Sequence, residues 1–233
     1  MNNKNKNKEV IKKRNKKSIY YITKTALASV FLIICSLIKI PFFVPFTLQS
    51  FGVFLVAGIM PECAAVSVLI FIFLGFLGVP VFSAGTGMAV FLSPTSGFIL
   101  GFIITAFLAA AVFKKSEKTK TKSNATLKNK FKNQTENKAE EKAENITEEK
   151  SKNKALSVFS LGFLKQTALL FLCQIPTYIL GCLTMVIFTN SSYSVLNILT
   201  LSVLPFILPD ILKIIFAQII TIKVLPFLKS KNL

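Results

Sequence analysis

Residues 97–130 read GFILGFIITAFLAAAVFKKSEKTKTKSNATLKNK, and the break after Phe113 decides the fold. The stretch 97–113 carries no charge, so a helix built from it is apolar all round. Such a helix belongs in lipid or in a large core. The stretch 114–155 holds thirteen basic and seven acidic residues, with Asn and Thr filling most of the rest. That composition cannot bury enough apolar area to offset the entropy of ordering. The whole chain of 233 residues is segregated in the same way. Hydrophobic residues make up 52% and mean hydropathy is +0.61, yet 28 Lys and Arg stand against 10 Asp and Glu. A soluble fold does not combine these extremes; a membrane protein does, with charge confined to tails and loops.

Five further apolar runs frame the span at 97–113. Toward the N-terminus they cover Ser18–Ile40, Phe46–Met60 and Cys63–Val79; toward the C-terminus, Val158–Phe188 and Val203–Leu228. Pro41 and Pro45 break the first from the second, Pro61 and Glu62 mark a turn, and Gly75, Gly78 and Pro80 end the third. Pro176 is expected to kink the fifth. Gly97 and Gly101 form a small-xxx-small pair that lets a neighbouring helix approach closely. Residues 1–17, with eight basic and one acidic side chain, read as a disordered tail on the lipid surface. The run that follows is too long for a signal-peptide core.

Charge then orients the spans. The tail 1–17, the loop 114–155 and the end 229–233 are basic and are expected to be cytoplasmic. Four crossings over 18–113 and two over 156–228 satisfy that requirement. The connections left outside, around 41–46, 83–96 and 189–202, carry no charged residue. The expected fold is therefore an all-α membrane protein of six transmembrane helices with both termini cytoplasmic. The net charge of +18 follows from this topology and does not call for nucleic acid as a partner.

Composition also narrows the chemistry. There is no His, and acids are few, which removes the commonest general base and metal ligand. No cofactor, metal site or catalytic residue is expected. Cys35, Cys63, Cys173 and Cys182 sit in or beside apolar runs, without a C-x-x-C pair, and read as small core residues. No G-x-x-x-x-G-K-[ST] is present, so the chain has no Walker-type ATPase of its own.

Asp210 and Lys213, in PFILPDILK, are the charged pair on the outer half of the sixth span. Spacing i, i+3 puts both on one helix face. A charge at the bilayer centre costs about 2.5–3.5 kcal/mol on insertion scales. The pair is therefore either a structural ion pair or a polar ligand site. Thr47, Gln49, Ser83, Thr86, Ser93, Thr95 and Ser96 lie on the same expected side. Gly85 and Gly87 would let backbone amides approach a small ligand. Phe42, Phe43, Phe82 and Phe206 could wall an apolar ring. A binding protein, carrier or channel is favoured over an enzyme.

Three segments carry a resemblance. IPFFVPFTLQSFGVFLVAG (40–58) resembles the Pro-x-x-x-Pro-x-Thr-Leu-Gln segment of the BioY family, the biotin-specific S components of energy-coupling-factor (ECF) transporters. FLGFLGVPVFSAGTGMAVFLSPTSGFILGF (73–102) is similar to its Gly-x-x-Gly-x-Pro-Val-Phe and Gly-Pro-Thr-Gly-Gly-Tyr segments. PFILPDILK (205–213) resembles its Pro-Phe-x-x-Gly-Asp-x-x-Lys motif, with Pro209 where the family has Gly. The resemblance implies capture of biotin from outside by a multi-pass protein of the bacterial plasma membrane. It implies as partners a transmembrane coupling protein and two ATP-binding subunits. It makes Asp210 and Lys213 ligand-binding residues: a carboxylate accepts from a ureido N–H and an ammonium donates to its C=O. Lys213 facing the valerate carboxylate is the alternative. Gln49, Ser83, Gly85, Thr86 and Gly87 join them as substrate-binding candidates. Thr25, Ala26, Ala28 and Ser29, in TKTALASV, correspond to the small residues that meet the coupling protein, or else serve ordinary packing within the chain. Another small vitamin, or a self-sufficient secondary carrier, is the alternative function.

Overall fold

The charge-free run at 97–113 is helical, and the charged residues after it continue the same helix. In a computed structural model, residues 3–41, 46–83, 85–135, 161–189 and 194–230 are described. In chain order the elements are α1 (Asn3–Leu37), β1 (Lys39–Ile40), β2 (Phe46–Thr47), α2 (Gln49–Ile59), α3 (Ala64–Phe76), α4 (Met88–Phe91), α5 (Ser96–Thr135), α6 (Leu161–Phe188), α7 (Val195–Ser202) and α8 (Leu204–Ser230). Two expected boundaries differ. Helix α1 begins at Asn3, within the basic tail, and α5 runs to Thr135, well into the charged stretch. Both extensions grow from apolar helices, and propagation from a formed helix adds a hydrogen bond for each Lys, Glu or Gln it orders. Residues 136–155 lie outside the described residues, as do Phe42 and Phe43.

Among the described residues, four helical segments are long and apolar enough to cross a membrane: Arg14–Leu37, Ser96–Thr119, Leu161–Phe188 and Leu196–Leu228. The two remaining expected spans correspond to α2 and α3, shorter apolar helices of 11 and 13 residues. At 1.5 Å per residue they reach about 16–20 Å, short of a hydrocarbon layer of about 30 Å. The reason is local. Pro and Gly delimit both runs, and α2 is enclosed by its neighbours rather than by lipid: Gln49, Ser50 and Gly52–Gly58 are all buried. The expected all-α class also acquires one two-residue antiparallel pair, Lys39 with Thr47 and Ile40 with Phe46.

The interior is built around α2. Leu32, Val53, Phe54, Ala57, Val68, Phe71, Leu170 and Ile214 are buried within one cluster. The outer faces remain apolar, with Leu27, Leu69, Phe73, Phe107, Ile179, Leu183, Leu212 and Phe216 exposed. A belt of this kind is disfavoured in water and at home in lipid. The chain is a multi-pass membrane protein.

Cross-helix contacts give the helix directions. Ser116 bonds Gln166 and the Gly97 amide bonds Thr184, so α5 and α6 are antiparallel. Ser50 meets Asp210 and Gly58 abuts Thr221, so α2 and α8 run parallel. Tyr21 bonds the Glu62 carbonyl and Ser36 that of Val81, so α1 and α3 also run parallel. The described residues of the connections at 38–48, 77–95 and 189–203 thus gather at one end of the bundle. Gly97 and Gly101 act as their spacing suggested. A Cβ at Gly101 would lie 2.5 Å from Thr177 Cα, and one at Gly97 would collide with the Leu180 carbonyl. Their absent side chains allow α5 to rest on the backbone of α6.

Thr25, Ala28 and Ser29 are buried in this packing. Ser29 Oγ donates to the Ser67 carbonyl at 3.1 Å, and Ser67 Oγ donates to that of Thr25 at 3.2 Å. Of the four small residues expected to meet a coupling protein, only Ala26 is exposed. Thr25 and Ser29 serve the α1–α3 contact, where small side chains let the helices come within hydrogen-bonding reach, and Ala28 lies in a cleft beside Leu55 and Val56 of α2.

Candidate functional site

Near the start of α8, Asp210 and Lys213 are both buried. Lys213 Nζ donates to Asp210 Oδ1 at 3.0 Å. Two other helices complete the arrangement. From α2, Ser50 Oγ donates to Asp210 Oδ1 at 2.9 Å and accepts from Lys213 Nζ at 3.0 Å. From α6, Tyr178 Oη donates to Asp210 Oδ2 at 2.6 Å. The ammonium also lies 4.5 Å from the centre of the Phe46 ring, within cation–π range. Desolvating an ion pair is costly unless extra hydrogen bonds satisfy its remaining atoms. Here Ser50 and Tyr178 supply them, and both carboxylate oxygens are engaged.

This network forms part of the wall of a cavity of about 390 Å³. The volume falls in the range of small-molecule sites, about 300–1,000 Å³. Its apolar walls come from Phe82, Phe98, Ile99, Phe102, Met185 and Phe206. Phe82 is held by edge-on contact with Phe71, at 5.1 Å between ring centres, and with Phe91, at 5.8 Å. Each of the three gathered connections contributes: Phe46 and Thr47 from the first, Phe82, Ser83 and Thr95 from the second, Leu201 and Ser202 from the third.

Several expected site residues therefore meet here. Asp210, Lys213, Gln49, Ser83, Thr47 and Thr95 line the cavity, with Phe82 and Phe206 on its walls. Gly85, Thr86 and Gly87 are not among the residues that line it. Gly85 pairs back onto Phe82 in an isolated antiparallel bridge. Gly85 (φ 147°) and Gly87 (φ 63°) hold backbone conformations that glycine adopts without strain. Ser93 is occupied with the Val90 carbonyl and Thr95 Oγ1, and Ser96 opens α5.

The sequence reading missed Ser50, Gln174, Thr177 and Tyr178, all of which line the cavity. Their signal was present. Positions 174, 177 and 178 fall on one helix face inside an apolar span. Tyr178→Phe removes a donor from Asp210 Oδ2 and leaves a buried charge less satisfied. We expect it to lower stability by about 1–3 kcal/mol, read as an earlier unfolding transition in detergent.

The chain has relatives among known proteins. It is 39% identical to the biotin transporter BioY2 of Lactococcus lactis over 93 residues, covering 39% of this chain and 51% of that protein. It is 35% identical to the biotin transporter BioY of Thermotoga maritima over 99 residues, 41% of this chain and 59% of the relative. The chain thus aligns with between half and three-fifths of the length of these relatives. A crystal structure of the S-component for biotin from an ECF-type ABC transporter shares the fold, with a TM-score of 0.62 at 22% identity. That likeness covers 90% of this chain and 93% of the other. The sequence model of the BioY family matches residues 6–230. With nearly the whole chain covered by that match, the protein belongs to the BioY family.

Proposed function

We propose that this protein is the biotin-binding S component of an ECF-type importer in a bacterial plasma membrane. It captures biotin from outside and passes it inward with an ATP-driven module of a coupling protein and two ATP-binding subunits. The observation that carries this reading is the cavity: an apolar chamber in a membrane fold, one wall of which presents a satisfied Asp210–Lys213 pair. The fused rings and aliphatic chain of biotin suit the Phe-lined walls, and its ureido group suits the polar wall. The gathered connections carry no charge at 41–46, 83–96 and 189–202, which supports an outward-facing mouth. The basic segments 1–17, 114–155 and 229–233 support a cytoplasmic placement of both termini. The family's named relatives are transporters, which supports a non-enzymatic role. Ala26, exposed on α1, is the residue we assign to contact with the coupling protein.

Calorimetry on the purified chain in detergent tests the reading. Saturable biotin binding is the expected result. A folded, monodisperse protein that binds no biotin would overturn it and direct a screen to other vitamins. In cells, uptake should require the coupling protein and ATP-binding subunits; uptake by the chain alone would make it a self-sufficient carrier.

A further inference from the structure

The end of the bundle where the connections gather holds one exposed charge among the described residues. The chain has 28 Lys and Arg, and across 38–48, 77–96 and 189–209 Lys39 is the sole charged residue. Basic side chains are disfavoured outside the membrane, so Lys39 stands against the pattern that orients the rest of the chain. The Asp210–Lys213 pair is a different feature. Both residues are buried in the cavity wall and offset each other, so the cavity presents no surplus charge of its own.

The backbone sets Lys39 beside that cavity. Lys39 pairs with Thr47 in the two-residue ladder, and both Thr47 and its neighbour Phe46 line the cavity. The Leu48 amide donates to the Ile38 carbonyl at 3.2 Å and continues the pairing. Directly opposed residues of an antiparallel pair carry their side chains on one face, with Cβ atoms about 4.5–5.5 Å apart. Lys39 therefore begins next to the lining and reaches out on a flexible four-carbon stem. It is exposed and is not itself a lining residue. Among the described residues its ammonium has no ion pair.

Biotin carries one charge at neutral pH, the carboxylate of its valerate chain; its ureido group is neutral. We infer that Lys39 is an electrostatic guide: its ammonium draws the ligand's carboxylate to the mouth of the cavity and so speeds capture. The inference rests on the biotin reading and adds how the ligand is gathered from dilute solution. A fixed cation raises the local concentration of an anion and its association rate, and salt screens the effect. The other use of a Lys in this place is to anchor α1 at the lipid border, where Leu37 and Ile38 are exposed. An anchor would act equally on charged and uncharged ligands.

Association of tritiated biotin and of its uncharged methyl ester is measured on the full chain in neutral detergent, at ionic strengths of about 0.01 M and 1 M. At the lower value, Lys39→Gln should slow association of biotin about 3- to 5-fold and Lys39→Glu about 10- to 25-fold. Lys39→Arg should associate as wild type does. The differences should close at the higher ionic strength and be absent for the ester. Unchanged association of biotin with the Gln and Glu variants would overturn the inference. So would an equal slowing for the ester, or one that persists at the higher ionic strength, which would mark Lys39 as structural. Wild-type protein that binds neither compound would overturn the biotin reading itself, an outcome distinct from wild type and variants capturing biotin at the same rate.

Discussion

Asp210→Asn is expected to abolish tight biotin binding and to destabilise the fold, and a second substitution separates the two effects. Neutralising Asp210 leaves the buried Lys213 ammonium without its counter-charge. Breaking a buried pair from one side costs about 3–5 kcal/mol, because the remaining charge is left in a low dielectric. Replacing both partners by neutral groups removes that charge, and such replacements are often neutral in stability. The double variant Asp210→Asn, Lys213→Met should therefore regain most of the lost stability. It should still bind biotin about 100-fold more weakly than wild type, since charge-assisted hydrogen bonds are absent. Unfolding in detergent and calorimetry read the two quantities independently. A double variant that binds as wild type does would make the pair purely structural, the alternative left open by its i, i+3 spacing.

The second large effect is expected at Gly101. In a helix interior, Gly→Ala ordinarily stabilises by about 1 kcal/mol. At Gly101 the sign should reverse, because the new Cβ would sit 2.5 Å from Thr177 Cα, and backbone cannot rotate aside as a side chain can. Overpacking of this kind costs about 1–3 kcal/mol, and more where it separates helices. The damage should reach the ligand site. Phe98, Ile99 and Phe102 on α5 and Gln174, Thr177 and Tyr178 on α6, which flank this contact, all line the cavity. Gly101→Ala should lower both the unfolding temperature and the affinity for biotin. An equal or raised unfolding temperature would show that α5 and α6 do not depend on that contact.

The residues differ in how far they could be read in advance. Asp210 and Lys213 stood out because charge inside an apolar span is costly and rare, and their spacing already put them on one face. Gly97 and Gly101 were legible for a similar reason: helices that approach closely need small residues at intervals of four. Ser50 and Tyr178 were not, because a neutral polar residue in an apolar run is common and gains meaning only from what it faces. Thr25, Ala28 and Ser29 mark the opposite limit. Their small size promised a close contact but did not say with whom; within the chain, Thr25 and Ser29 meet Ser67 of α3. Gly85, Thr86 and Gly87 suggested a ligand-binding loop, yet the cavity is lined instead by Ser83 and Thr95 on either side of it.

What the residues alone determined was everything that depends on hydrophobicity and charge along the chain: membrane residence, the order of the apolar segments, the ends at which basic residues cluster, and the charged pair itself. These are properties of single segments, settled by transfer from water to lipid. The tertiary structure decided the rest. It drew α2 into the middle of the bundle as a short buried helix and brought Ser50 and Tyr178 to Asp210 across 160 and 32 residues of chain. Those outcomes depend on which helix faces pack together, a choice made by the fit of side chains distant in sequence.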